Sequence, residues 1–96
     1  MNVSDIVISL NGRDAGKRFI VIETDALYSM IADGKGRRIE KPKRKKNKHL
    51  KFEDKADSLI MEKLTGDGKI TNNEIRRFLT GYAERYEEGG NQNAKR

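Results

Sequence analysis

The sequence predicts an α+β chain: a small antiparallel β-barrel or strongly coiled sheet, followed by a hairpin of two helices. Three features carry that expectation. Residues 3–41 hold short apolar runs with period-two alternation, separated by glycine-bearing turns, as strands joined by hairpins do. From Asp54 the apolar residues recur at intervals of three and four, the period of a helix. The chain has 96 residues, of which 34% are hydrophobic and 38% charged, so any core is small.

The elements follow in chain order. Residues 3–10, VSDIVISL, put Ile6, Ile8 and Leu10 on one side and Val7 and Ser9 on the other, which predicts a strand with one buried face. The next segment, NGRDAGK, is a turn whose two glycines supply backbone freedom. Asp14 is expected to hold that turn through backbone hydrogen bonds. Arg18–Thr24 is rich in β-branched and aromatic residues and reads as a second strand. Ala26–Asp33 reads as a third, and after the turn at residues 33–36 Arg37–Lys41 reads as a short fourth. Pro42 has no N–H to give a ladder, so the sheet is expected to be interrupted or at an edge there. His49–Phe52 offers a fifth strand, with His49 expected to pack at the strand edge beside Leu50.

In the helical part, Ala56, Leu59, Ile60 and Leu64 share one face and Gly66 stands where a C-cap belongs. Asp67-Gly68 makes the following turn. Thr71 and Glu74 have the spacing of a capping box, and Ile70 and Ile75 that of a hydrophobic staple. They open a second helix from Asn72 to about Glu88, with Ile75, Phe78, Leu79, Tyr82 and Tyr86 in one stripe. The first helix has few apolar residues, so the hairpin must dock on the sheet or on a partner. The expected boundaries are a β unit at 1–52, a helical hairpin at 53–88 and a disordered tail at 89–96.

Charge is distributed unevenly. The net charge is +6, yet residues 35–51 alone carry ten basic groups against the single acid Glu40, and both flanking regions are net acidic. Such a block is the electrostatic footprint of a polyanion partner. Its candidate binding residues are Lys35, Arg37, Arg38, Lys41, Lys43, Arg44, Lys45, Lys46 and Lys48. Lysine and arginine gain affinity by releasing counterions condensed on phosphates. Arg37, Arg38 and Arg44 can in addition fork onto a phosphate or stack on an exposed base. Pro42 stiffens the segment, which lowers the entropy lost on docking. Arg13, Lys17 and Arg18 join the set from the first turn, whose backbone N–H groups can cradle an anion.

Other chemistries find no support. With no cysteine and one histidine, there is no thiolate metal site, no disulfide and little imidazole chemistry. No carboxylate pair or activated nucleophile can be assembled, so an enzyme, a cofactor and a small-molecule substrate are not expected. GRDAGKR is one residue short of a nucleotide-binding P-loop and has Arg18 where the magnesium-ligating Ser or Thr belongs. KLTGDGKITNNE matches a calcium-binding EF-hand loop at Asp67, Gly68, Ile70, Thr71 and Glu74 but begins on the cation Lys63 and has Thr65 at its third position. No apolar run approaches the ~20 residues of a membrane span. The N-terminal residues lack a basic-then-apolar signal pattern, so a cytoplasmic protein without membrane contact is expected.

The stretch VISLNGRDAGKRFIVIE resembles a KOW motif: a strand runs into a Gly-x-Asp-x-Gly-Lys turn and a hydrophobic strand leaves it. Through DALYSMIADGKGRRIEKPKRKKNKHL the chain is similar to KOW-domain RNA-binding proteins of low-GC Gram-positive bacteria. Those proteins are in turn similar to several large-subunit ribosomal proteins of archaea and eukaryotes. The resemblance covers residues 3–52, and TNNEIRRFL is consistent with the C-terminal helix of the bacterial members. It implies an SH3-like barrel that binds RNA, with ribosomal RNA in the large subunit or its assembly intermediates as partner and ribosomal proteins as neighbours. The alternative is a KOW-type protein-interaction module in transcription or translation, contacting its partner through the acidic hairpin. Removing residues 53–96 is expected to leave RNA affinity intact in the first case and abolish partner capture in the second.

Overall fold

Five strands, four of them from the expected apolar runs, form in the computed structural model, in which residues 1–66 and 69–85 are described. They are β1 (Ile6–Ser9), β2 (Arg18–Thr24), β3 (Tyr28–Ala32), β4 (Lys43–Lys46) and β5 (Leu50–Asp54), followed by helices α1 (Ser58–Thr65) and α2 (Asn72–Ala83). The strands form one antiparallel sheet in the order β4-β3-β2-β1-β5. The α+β class is as expected from sequence.

The sheet is not flat. β4 and β5 lie at its two edges, yet only the single 3-10 turn Asn47–His49 joins them. Strands spaced ~4.8 Å apart would put the edges of a flat five-stranded sheet about 19 Å apart. Three residues of 3-10 helix at ~2 Å each cannot bridge that. Coiling brings the edges together and encloses a cluster of Val7, Phe19, Val21, Ile31 and Leu50, all buried and none from a helix. Across the concave side, the Lys45 ammonium on β4 reaches the Asn11 carbonyl at the end of β1, 2.8 Å away.

The opposite face is covered by the helices. Ile6 and Ile20, paired across β1 and β2, pack with Ala56, Ile60, Ile70, Ile75, Leu79 and Tyr82. Both faces of β1 are therefore buried, which corrects the expectation of one. Leu10, assigned to the buried side, is 54% exposed because the strand ends at Ser9. β1 also begins later than residue 3, since Ser4 takes a positive φ of 76° and its N–H bonds the Val21 carbonyl at 2.7 Å.

The fourth strand is displaced from its expected place. Arg37–Lys41 is a loop whose backbone is held by side chains: Asp33 Oδ1 accepts from the N–H groups of Lys35 and Arg37, both at 2.9 Å, and Asn72 Oδ1 accepts from Ile39 N–H at 2.7 Å. The ladder resumes just after Pro42, at a strand start where a missing N–H costs little. β4 is thus the KRKK run itself, and the basic segment is in part a strand rather than a loop. At the tight point of this region Gly34 has φ +78°, and a Cβ there would stand 2.2 Å from the Asn72 carbonyl oxygen.

The helices begin and are capped by identifiable residues. β5 continues pairing through Asp54, so α1 starts four residues later than the apolar spacing suggested, with Asp57 accepting from Ile60 N–H at 3.0 Å. Gly66 closes α1 by giving its N–H to the Glu62 carbonyl. Thr71 and Glu74 form the expected capping box, with reciprocal bonds of 3.1 and 3.0 Å, and Ile70 and Ile75 are both buried in the helix-side core. The boundary placed after residue 52 falls inside β5, and the β and helical parts share one core. Removing residues 53–96 would strip that core, so the truncation does not separate the two functional readings. The Asp67-Gly68 turn, Tyr86, the extension of α2 to Glu88 and the tail at 89–96 lie outside the described residues. Among the described residues no helix is long and apolar enough to cross a membrane.

Candidate nucleic-acid interface

β4 arises where a strand pairs by backbone alone. Its residues have poor intrinsic β-propensity, but β3 offers a complete partner ladder, with Tyr28 opposite Lys46, Ser29 opposite Lys45, Met30 opposite Arg44 and Ile31 opposite Lys43. Alternation then divides the four cations between two faces. Lys43 and Lys45 share the side of the buried Ser29 and Ile31, whereas Arg44 and Lys46 stand beside the half-buried Tyr28 and Met30 and are exposed.

The first turn is built as its glycines suggested. Gly12 and Gly16 both have positive φ, and Gly16 N–H bonds the Ser9 carbonyl at 2.8 Å. Arg13 and Lys17 project from it into solvent. Asp14 holds the turn through its backbone carbonyl, which accepts from Lys17 N–H at 2.9 Å, while its carboxylate accepts from Arg37 Nη2 at 3.4 Å, tying the 33–37 loop to this turn. Through that contact and the Lys45–Asn11 bond, the turn, the 33–37 loop and β4 come together at one end of the sheet.

Lys17, Arg18 and Lys35 line one groove there with the acids Asp33 and Glu84, joined by Arg76 of α2, which lies outside the sequence-derived set. Arg76 donates to the Gly34 carbonyl at 3.1 Å and to Asn73 Oδ1 at 2.9 Å, so it clamps the basic loop onto the helix. Arg38 and Lys41 are exposed on the same loop, with Arg38 3.6 Å from Glu40. Both side chains of that pair are more than half exposed, so it is worth at most ~1 kcal/mol and leaves the guanidinium available. The Glu40 carboxyl is held below its ordinary range chiefly by the Asn72 amide.

Arg18 lines the same groove but is engaged by the fold itself. It lies on the helix side of β2, forms a two-pronged salt bridge with Glu53 and sits 5.2 Å from the centroid of the Tyr82 ring. Its side chain is 12% exposed, so it borders the groove while held against the fold. Nothing local in the sequence marks this, because Glu53 is 35 residues away.

At the far end of β4, Lys46 and Lys48 border a groove of about 310 Å³ with Ala26, Leu27, Tyr28 and Asn47. The Arg44 guanidinium lies over the face of Tyr28, 3.7 Å from the ring centroid, in a cation–π contact. Tyr28 was not among the sequence-derived candidates; the register of β3 on β4 is what sets it beside the cations. Lys35, Lys41, Lys43, Arg44, Lys46 and Lys48 have no carboxylate partner among the described residues. His49 is half-buried in the turn before β5, its carbonyl accepting from Leu10 N–H at 2.9 Å.

The loop with EF-hand-like spacing is internally neutralised. The Lys63 ammonium bonds the Glu74 carboxylate, and that contact is the main reason the Glu74 carboxyl titrates below its usual range. Its other oxygen caps α2, so the one carboxylate that fits the calcium pattern at the loop's end has two protein partners.

No protein-family model and no curated protein matches this chain.

Proposed function

We propose that this chain is a cytoplasmic RNA-binding protein of the KOW type, with the coiled sheet as an SH3-like barrel. Its partner in this reading is ribosomal RNA in the large subunit or its assembly intermediates, with ribosomal proteins alongside. The protein binds rather than catalyses. The observation that supports this best is β4, four consecutive cations on an edge strand, continuous with the unpaired Lys35, Lys41 and Lys48. Cations fixed on a strand have less entropy to lose on meeting phosphates than the same residues in a loop. Arg13 and Lys17 extend the basic surface across the first turn.

Replacing Lys43, Arg44, Lys45 and Lys46 with Ala should weaken RNA binding and flatten its dependence on salt. For four lost phosphate contacts, the slope of log K against log salt should fall by about 3. A variant with the wild-type slope would remove β4 from the mechanism. The ribosomal part is tested by co-sedimentation on sucrose gradients. Comigration with the large subunit or its precursors at moderate salt supports it, and migration at the top of the gradient at both low and high salt contradicts it.

A KOW-type protein-interaction module is the second reading, and α1 supports it: Leu59 is 60% exposed and Met61 38%. Substituting both with Lys should spare RNA affinity if the first reading holds and abolish partner capture if the second does.

A further inference from the structure

We propose that the groove between the β2–β3 turn and the Asn47–His49 turn is a slot for one unpaired nucleobase, stacked on Tyr28. This rests on the RNA-binding reading and specifies which RNA feature the chain selects. Tyr28 lines two grooves. On one side are Glu23, Asp25 and Arg44, whose guanidinium already covers the ring. On the other are Ala26, Leu27, Lys46, Asn47 and Lys48. The second side combines what a base requires: an aromatic ring, an apolar wall from Leu27, which is 69% exposed, and two cations at the rim. Its volume of about 310 Å³ is at the small end of the ~300–1,000 Å³ typical of ligand sites.

The slot is held open by its own hydrogen bonds. Asp25 Oδ1 accepts from the N–H groups of Leu27 and Tyr28 at 2.8 and 2.7 Å, fixing one wall. Asn47 fixes that wall to the other: its backbone N–H bonds the Leu27 carbonyl and its amide donates to the Asp25 carbonyl, each at 2.8 Å. The Ser29 hydroxyl donates to Asn47 Oδ1. An exposed leucine and a half-buried tyrosine are thus kept from collapsing on each other, and little ordering remains to be done when a base arrives. Lys46 and Lys48 meet the phosphates on either side of that base, whereas Glu23 and Asp25 repel phosphate from the opposite side of the ring. The polarity admits the base from one direction.

A duplex cannot offer an unpaired base face, so the slot selects loops, bulges or single strands. The test uses two RNAs of equal length and charge, a hairpin with an unpaired loop and a fully paired duplex, with binding measured by fluorescence anisotropy. Tyr28→Leu removes the aromatic face while keeping bulk, and Tyr28→Phe keeps the face. Tyr28→Leu should weaken hairpin binding by about five- to hundred-fold and leave duplex binding unchanged, and Tyr28→Phe should bind like wild type. A 2-aminopurine in the loop should be quenched by wild type and by Tyr28→Phe but not by Tyr28→Leu. Equal loss on both RNAs, or no loss on the hairpin, would overturn the slot while leaving RNA binding in place. Failure of the wild-type protein to bind either RNA would overturn both.

Discussion

Two arginine–tyrosine contacts among the described residues lie on the same side of one sheet, and they have opposite surroundings. Arg18 lies near Tyr82 where the helices cover the sheet, with Glu53 neutralising it and its side chain 12% exposed. Arg44 lies over Tyr28 on an exposed edge strand, with Asp25 across the groove but no carboxylate within salt-bridge distance among the described residues. A buried cation must be matched by an anion, because desolvation of an unpaired charge is costly. An exposed one is under no such demand, so a stretch of unmatched cations is stable only where water or a polyanion can reach it. The covered half therefore carries stability, and the open half carries the exposed charge that the proposed RNA reading assigns to a partner.

The largest effect should come from the joint between the halves. Gly34→Ala must place a side chain at a left-handed residue, costing ~1–2 kcal/mol, and push against the Asn72 carbonyl, costing a further ~1–3 kcal/mol. A loss of about 2–5 kcal/mol in urea unfolding is expected. Gly16→Ala has the same sign of φ with nothing within 4 Å, so only the ~1–2 kcal/mol backbone cost should appear. Equal losses at the two glycines would mean that the loop is not seated on α2 as described.

Next in size is Glu53→Ala, which removes the two-pronged carboxylate contact from Arg18 in a mostly covered site and should cost about 2–3 kcal/mol, less than the full penalty of a wholly buried pair. Its counterpart Arg44→Ala should cost less than about 1 kcal/mol in stability, the value of an exposed cation–π contact, yet weaken RNA binding. If Arg44→Ala unfolds the chain while Glu53→Ala is silent, the assignment of the two halves is reversed.

In the covered half, alkaline pH should act on stability through Tyr82. The Tyr82 phenol is pushed up to about 12, first by burial and then by Glu53 and Asp54, whose carboxylate accepts its hydroxyl. The raised value means the folded state keeps the phenol proton more tightly than the unfolded chain, in which it titrates near 10. Stability from this group is thus fully present below pH ~10 and is lost as pH rises toward ~12, to a maximum of about 3 kcal/mol. Urea melts of wild type and Tyr82→Phe across that interval should diverge, with the wild type losing more. Parallel curves would show that the phenol is not held in this environment.

Where residues act on near neighbours, the sequence was a sufficient guide. The Thr71–Glu74 capping box, the Gly66 cap and the Arg18–Thr24 strand depend on contacts a few residues away or on a strong local pattern. β4 is not legible as a strand because Lys-Arg-Lys-Lys has no apolar alternation; only its pairing with β3 makes it one. The same register placed Tyr28 beside Arg44, which no spacing rule along the chain could foretell. The sequence groups Arg18 with the surface cations because its partner Glu53 lies 35 residues away along the chain, on β5 two strands across the sheet. The basic segment itself was legible as composition, whereas its division into a clamped loop, an edge strand and a groove rim depended on the tertiary fold.

The claim that partner binding belongs to the open half is tested most directly by amide NMR spectra of the uniformly labelled protein titrated with the loop-bearing hairpin RNA. Shift changes concentrated at residues 11–17, 25–28, 35–38 and 43–48, with Leu59, Met61 and the exposed face of α1 unmoved, are the predicted result. Changes confined to α1, or none at saturating RNA, would contradict it.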